Sequence, residues 1–374
     1  MKVMIVAGTR PEWIRLACCI HALDKAVDTV IVHTGQNYDF ELNEIFFRDL
    51  RLRKPDHFLN AARETATQTI GTVIAEMDGV LRKEKPDACL LLGDTNSCMA
   101  AIAARKNGVP VYHMEAGNRC FDFNVPEELN RRIVDHASDF NLCYTEHARR
   151  HLLAEGLPFR RVYVTGSPMR EVLDTYRTDI EASTVLETLG LEPRRYFIAS
   201  FHREENVDNP AHLQAIVSAL ETLADAFGYP VVVSTHPRTR KRLEEHGIVA
   251  GEALRWLKPF GFHDYNKLQM EACCAISDSG TISEESSMLG FPAVTIRNAL
   301  ERPEALDTGS IIITGLDADV IVAGVRQAVA DHEAGSFPPP PSDYTITNTS
   351  QRVTRLILGT AKLNARWHGL DTAK

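Results

Sequence analysis

The chain has 374 residues, 44% of them hydrophobic and 24% charged, with a net charge of −9. At roughly 100–200 residues per domain this predicts two globular domains, each with enough apolar material for its own core. The acidic balance and the lack of a long basic run argue against a nucleic-acid partner, and no window approaches the ~20 apolar residues of a membrane helix.

The chain opens in a strand-like run, Met1-Lys2-Val3-Met4-Ile5-Val6, rather than a leader of secretory type. Val3–Ala7 reads as the first strand, followed by a helix through Ala26 and a strand over Thr29–His33. Ala88–Leu92 precedes a helix near Ser97–Asn107, and strands follow at Val109–His113, Phe140–Tyr144 and Arg161–Thr165. A second series begins after Gly166-Ser167-Pro168, with strands at Tyr196–Ser200, Pro230–Ser234, Leu254–Leu257, Ala275–Ser277, Pro292–Ile296 and Ser310–Ile313, and a helix over Ala211–Phe227. β-branched runs alternating with helical patterns signal parallel βαβ units. The expectation is two doubly wound domains, 1–167 and 168–354. Four consecutive prolines in Phe337–Pro341 predict an extended surface segment. Ser350–Arg366 reads as a helix, and the last stretch, about 355–374, is expected to pack back on the first domain. The eight cysteines include two adjacent pairs and no Cys-x-x-Cys. That pattern fits reduced thiols in the cytoplasm better than a disulfide framework or a zinc site.

Ligands of open α/β sheets bind outside the carboxyl ends of the strands. The first strand ends in Gly8-Thr9-Arg10-Pro11-Glu12, where Pro11 suits the first helical position and the helix start favours an anion beside Arg10. It lacks the Gly-x-Gly-x-x-Gly of a nicotinamide site. Later strand ends carry Gly93-Asp94-Thr95-Asn96 and His113-Met114-Glu115-Ala116-Gly117, so Asp94 and Glu115 are candidates to face one crevice. A helix cap is the other reading of Asp94. Pro126-Glu127-Glu128 opens a helix, where acidic residues commonly answer the macrodipole. His202, in Ser200-Phe201-His202-Arg203, is an acid, a base, a diphosphate donor or simply a solvated side chain. Thr235-His236-Pro237-Arg238 suggests a structural or binding role. Asp278-Ser279-Gly280-Thr281-Ile282-Ser283-Glu284-Glu285 is the strongest local signal, a small-residue turn entering a helix and suited to a phosphate. Glu285 could accept two ribose hydroxyls, and Arg302 in Glu301-Arg302-Pro303-Glu304 suits a diphosphate.

Taken together these motifs resemble the non-hydrolysing UDP-N-acetylglucosamine 2-epimerase family over nearly the whole chain. The resemblance implies a GT-B-like fold of two Rossmann-like domains with the active site in the interdomain cleft, a homodimer, a UDP-2-acetamido sugar as substrate, and neither a cofactor nor a metal. By the same resemblance Asp94, Glu115, Glu127 and His202 are catalytic. Arg10, Arg15, Tyr265, Ser279, Gly280, Thr281, Glu285 and Arg302 bind the substrate, Tyr265 near the uracil. Arg15 stands where the family commonly has lysine, and Thr281 replaces the second glycine of a Ser-Gly-Gly turn. Gly35-Gln36-Asn37-Tyr38-Asp39 replaces a Gln-His segment linked to allosteric activation, which puts that regulation in doubt. Met114–Asp122, Thr235–Arg240 and Lys258–Phe262 look like the UDP-N-acetyl-L-fucosamine synthase branch. A glycosyltransferase, a hydrolysing epimerase and a non-catalytic UDP-sugar sensor stand as alternatives.

Overall fold

The computed structural model describes residues 1–35, 46–249, 251–298 and 301–367. They fall into two compact units: Met1–Thr175 together with the described residues from Asp343 onward, and Tyr176–Ser342.

The first unit holds a seven-stranded sheet made of β1 (Lys2–Ala7), β2 (Asp28–His33), β3 (His57–Phe58), β4 (Ala88–Leu92), β5 (Val111–Met114), β6 (Phe140–Cys143) and β7 (Val162–Val164). The order is β3-β2-β1-β4-β5-β6-β7, and every pairing is parallel. Val3 to Ala7 and Ala88 to Leu92 are almost wholly buried, as strands covered on both faces by helices must be. Helix α1 (Arg10–Ala26) contributes Trp13, Leu16, Ile20 and Leu23 to the buried interior. α2 (Ala66–Glu84) packs Val73, Met77 and Leu81 into the cluster that contains Met4, Val6 and Leu91. α3 (Ala100–Lys106), α4 (Pro126–Ala137) and α5 (Glu146–Ala154) follow in chain order.

The second unit repeats the scheme with β8 (Phe197–Ser200), β9 (Val231–Ser234), β10 (Leu254–Leu257), β11 (Cys274–Ser277), β12 (Ala293–Thr295) and β13 (Ile312–Ile313), in the order β10-β9-β8-β11-β12-β13 and parallel throughout. Its core joins Phe197, Val233, Ile276 and Val294 of the sheet to Ile216, Leu220 and Val325 of the helices. Each sheet counts outward from its first strand in the doubly wound order, so the expected α/β class, two Rossmann-like units, is present.

Several element ends differ from the sequence expectation. β5 starts at Val111, not Val109, because Pro110 has no N–H to give to a ladder. Arg161 belongs to a short 3₁₀ turn, Phe159–Arg161, ahead of β7. Pro11 is the second residue of α1 rather than the first. The expected helix over Ser350–Arg366 is interrupted. It runs Thr349–Thr360, turns where Leu363 N–H donates to the Thr360 carbonyl at 3.0 Å, and resumes at Asn364–Trp367. Asn364 Nδ2, just past the turn, donates to Asp139 Oδ1 at 3.0 Å. The two-residue β3 escaped the sequence reading; Phe58 is about half exposed, and no period can be read from two residues.

The Thr349–Thr360 helix packs on α1 and on Pro168–Thr175. Glu171 accepts the Ser350 N–H at 2.7 Å, and Tyr112 and Thr360 share a 2.6 Å hydroxyl bond.

One glycine marks a contact that fixes the β5 loop. Gly117 has φ +85°, and an added Cβ would lie 2.3 Å from the Ala148 carbonyl oxygen of α5. Gly117→Ala should therefore lower the unfolding free energy by more than the ~1–3 kcal/mol of backbone strain alone. Gly156→Ala, at φ +88° with nothing within 4 Å, should show only the strain. Urea denaturation of both variants checks this, and equal losses would rule out the Ala148 contact as a constraint.

Candidate active-site loops at the two sheet ends

At the carboxyl edge of the first sheet the turn after β1 is organised by Glu12. Its Oε2 accepts the N–H groups of Gly8 and Thr9, each at 2.7 Å, and the Thr9 hydroxyl at 3.0 Å. Its Oε1 accepts the Thr95 hydroxyl of the next loop at 2.7 Å. This is a capping box that also ties two loops together. Burial raises the Glu12 pKa, against the lowering effect of these donors. Gly8 can only be glycine here, since a Cβ would meet Thr34 Oγ1 at 1.9 Å. Arg10 lies in the first turn of α1, half-buried, with its guanidinium 5.4 Å from the Phe46 ring centroid.

Asp94 follows β4. Arg131 of α4 approaches its Oδ2 through Nε at 2.8 Å and Nη2 at 2.7 Å, and Asn130 Nδ2 donates to the Asp94 carbonyl at 2.9 Å. Glu115 follows β5 and is the non-glycine residue with φ +66°, a left-handed conformation that costs energy and holds only where the surroundings enforce it. Arg15 of α1 pairs with its Oε2, and Asn118 Nδ2 reaches its Oε1 at 3.3 Å. Asp94, Glu115 and Glu12 all act on the buried Cys98 thiol, whose pKa is pushed well up by burial first and by these charges next. Glu127 sits half-buried in the first turn of α4.

Behind these loops runs a buried polar chain. His113 of β5 is 1% exposed; its Nδ1 lies 2.8 Å from Asp135 Oδ1 and its Nε2 2.7 Å from the Gly93 carbonyl. Asp135 Oδ2 accepts the Gly117 N–H at 3.1 Å and Arg119 Nη1 at 2.7 Å. Arg119 then grips Glu155 with Nε and Nη2, both at 2.8 Å.

At the carboxyl edge of the second sheet the hub is Asp278, fully buried after β11. It accepts the N–H of His202 at 3.2 and 3.1 Å, that of Arg203 at 3.0 Å, and Asn206 Nδ2 at 3.0 Å. The His202 ring is 44% exposed, with Nδ1 3.5 Å from Asp278 and its centroid 5.6 Å from that of His236. The Ser279–Thr281 turn is internally bonded: Ser279 N–H donates to Ser277 Oγ at 3.0 Å, Thr281 N–H to Ser279 Oγ at 3.4 Å, and the Ser279 and Thr281 hydroxyls meet at 3.0 Å. Part of the donor set read from the sequence is thus spent within the turn, and the Gly280 N–H takes no part in these bonds. Arg302 Nη1 donates to the Gly280 carbonyl at 2.6 Å and pairs with Glu284. A Cβ on Gly280 would lie 2.9 Å from Glu301 Oε1. Glu285, 8% exposed, accepts Gln269 Nε2 at 2.8 Å. Gln269 and Tyr265 lie one turn apart on the Phe262–Glu271 helix. The Tyr265 hydroxyl pKa is pushed up by burial and then by the Glu285 charge, which places those two groups close together.

Residues 21–358 match the family model described as UDP-N-acetylglucosamine 2-epimerase. The chain belongs to that family. It is 45% identical to the UDP-N-acetylglucosamine 2-epimerase structure from Rickettsia bellii, with TM-score 0.90 and 98% of each chain covered. The Methanocaldococcus jannaschii UDP-GlcNAc 2-epimerase, solved in complex with UDP-GlcNAc and UDP, is 32% identical with TM-score 0.90, covering 96% of this chain and 100% of that one. A UDP-2,3-diacetamido-2,3-dideoxy-D-glucuronate 2-epimerase from Pseudomonas aeruginosa is 34% identical over 88% of this chain and 92% of its own. Membership makes the chain an epimerase, an isomerase of GT-B-like fold, acting on a UDP-sugar.

Within the first unit of this epimerase the structure gathers Asp94 and Glu115 near Cys98, with Arg15 paired to Glu115 and Arg10 and Glu127 on helices α1 and α4. Within the second it gathers His202, Ser279, Gly280, Thr281 and Arg302 around Asp278, with Tyr265 and Glu285 beside Gln269. The segment 36–39, read against allosteric activation, lies outside the described residues. Residues that the sequence reading left without a role are the holders: Glu12, Asn118, Arg131, Asp135, Gln269, Asp278 and Glu284. Glu12 carried a local signal of its own, the Thr-x-x-Glu of a capping box, and Asp278 and Glu284 lay inside the segment read as a phosphate-suited turn, though not as its holders.

The Arg119 guanidinium first, and then His136 and Arg132, hold the Glu155 carboxyl at about 2, below its ordinary 4.5. A depressed carboxyl pKa stabilises the fold above the ordinary value, and that contribution is lost as pH falls through the folded value. Glu155→Gln should cost about 1–3 kcal/mol at pH 7. The gap to the parent protein should close as pH drops from 4.5 towards 2, as measured by denaturant unfolding across that range.

Proposed function

We propose that the chain inverts carbon 2 of a UDP-2-acetamido sugar without hydrolysing it, and that its substrate is UDP-2-acetamido-2,6-dideoxy-L-talose, converted to UDP-N-acetyl-L-fucosamine for surface polysaccharide. The observation that carries the reaction type is a pair of carboxylates, Asp94 and Glu115, each fixed by an arginine at neighbouring strand ends. The choice of sugar is supported by the segments Met114–Asp122, Thr235–Arg240 and Lys258–Phe262, which look like the fucosamine synthase branch. The activity named for the Rickettsia bellii relative favours a second reading, the UDP-N-acetylglucosamine/UDP-N-acetylmannosamine pair.

Carbon 2 is not beside a carbonyl, so its proton is not acidic in the ground state. Cleavage of the bond from carbon 1 to UDP, with the electron pair leaving on the diphosphate, builds positive charge at carbon 1 and makes the carbon 2 proton removable. A carboxylate takes it and a 2-acetamidoglycal results. Return of a proton to the opposite face of carbon 2 and of the UDP oxygen to carbon 1 completes the inversion with no net loss of atoms and no nicotinamide. In this reading Asp94, Glu115 and Glu127 serve the cationic transition state and the proton transfers. His202, Arg10, Arg302 and the Ser279 turn receive the developing diphosphate charge. Because Arg302 is bonded to the Gly280 carbonyl, part of its share is to hold that turn. Arg15 and Thr281 complete the contacts, Glu285 meets the ribose and Tyr265 the uracil. UDP must be kept while the sugar is a glycal, which suits a site that shuts out water during the reaction. A cytoplasmic homodimer completes the proposal, and all eight cysteines being free thiols fits a reducing compartment.

Incubation in D₂O with each nucleotide sugar separately, followed by NMR, tests the reading. Inverted product with deuterium at carbon 2 is expected, at higher kcat/KM for the 6-deoxy-L-talo compound. Inversion without deuterium sinks the glycal route, free sugar indicates hydrolysis, and preference for UDP-N-acetylglucosamine selects the second substrate. Asp94→Asn and Glu115→Gln should each lower kcat about 10²–10⁴-fold, and Glu285→Ala should raise KM. A light-scattering mass of one chain would remove the homodimer.

A further inference from the structure

We propose that His113 is a positioning residue held as an imidazolium, and that its second ring proton locks the Gly93–Asp94 turn and the left-handed Glu115 backbone in their working places.

The argument starts from the partners. The Gly93 carbonyl can only accept, so His113 Nε2 must donate across 2.7 Å. The Asp135 carboxylate lies 2.8 Å from Nδ1, and its other oxygen already receives the Gly117 N–H and Arg119 Nη1. Either neutral tautomer would leave one ring lone pair facing an acceptor oxygen inside a site with 1% exposure. The doubly protonated ring satisfies both. Charges alternate along the chain, with His113 and Arg119 positive, Asp135 and Glu155 negative, so the buried cation is compensated.

The other groups around His113 agree. Glu115, two residues on, adds a negative charge, and on the adjacent strand Asn141, its register partner, donates to the Asp135 carbonyl at 3.0 Å. The nearby Cys143 thiol has its pKa raised well above the ordinary value by burial and then by the Asp135 charge. Burial alone would lower the His113 pKa, but the Asp135 and Gly93 bonds and the Asp135 and Glu115 charges together raise it. A raised pKa means the stabilisation is present below the ordinary histidine value and disappears as pH climbs through the folded one.

Loss of that proton breaks one of two restraints. Either Gly93, which precedes Asp94, is released, or Asp135 is, and with it Gly117, two residues past Glu115. His113 does not touch substrate in this scheme; it acts through the two carboxylates, and that part rests on the proposed function.

Nitrogen-15 NMR of the full chain without ligand decides the protonation state. At pH 7, above the ordinary midpoint of about 6.5, both His113 ring nitrogens should still carry protons. On further titration the amides of Gly93, Asp94 and Glu115 should shift with the same midpoint as the ring. A bare Nδ1 or Nε2 at pH 7, or amides that ignore the ring, overturns the proposal whatever the substrate. In the kinetic arm, the kcat of the parent enzyme should fall on the alkaline side with that midpoint. His113→Asn should lower kcat on the order of 10²-fold, leave KM within a few-fold, and lose that limb. An alkaline limb unchanged in His113→Asn would also overturn it. If no UDP-sugar is turned over, the proposed function fails while the NMR result still judges His113.

Discussion

A charge taken out of water must find an opposite charge or a full set of hydrogen bonds. Both sheets of this protein are parallel and their central strands are mostly apolar, and the few buried polar residues within strands, such as His113 and Asn141, are hydrogen-bonded. The chemistry is crowded into the carboxyl-edge loops, many of whose side chains are nearly inaccessible. Glu115 and Asp278 of the loops, and Glu12, Asp135 and Glu284 of neighbouring helices, are all buried. Each is answered by backbone N–H groups, an arginine or both. The loops hold their shape because their carboxylates would otherwise be intolerable. A loop fixed in this way can keep a non-glycine residue such as Glu115 in the left-handed region.

The two loop sets divide along chemical lines. The first is rich in carboxylates steadied by arginines that come from helices α1 and α4. The second is a turn of small residues braced by Asp278 and Arg302, with a carboxylate and an aromatic ring nearby. Protons and carbocation character suit the first; a diphosphate and a nucleoside suit the second. That division is what a reaction needs when it must detach a nucleotide, move one proton and reattach the same nucleotide.

Much of this was legible in the sequence, for uneven reasons. β1, β4 and β8 announced themselves as short apolar runs because both of their faces are buried, and the residues that follow them could be placed at strand ends by counting. Asp94, Glu115 and the Ser279 turn stood out for that reason. The partners did not, because Arg131, Asp135 and Gln269 come from helices whose rotation about their axes only packing decides. His113 looked like one more strand residue; its role depends on a carbonyl 20 residues earlier and a carboxylate 22 residues later. The Ser279 turn showed the opposite failure. Its hydroxyls and N–H groups were readable as donors, but several spend themselves on one another, which no motif reveals. β3, with two residues and an exposed ring, offered no pattern.

The first unit is built from both ends of the chain. Its helix Thr349–Thr360 packs against α1, more than 300 residues away by the numbering, and the whole of Tyr176–Ser342 lies between. On the ribosome the order of synthesis is therefore not the order of completion. The inserted unit has all of its own strands as soon as Ser342 has emerged. The unit that was made first still lacks the helix that covers α1, and must wait with that apolar face open. Contacts of such long sequence separation form slowly. The N-terminal half is the part that stands most exposed to association with other nascent chains, and a truncation before residue 349 would strand it there.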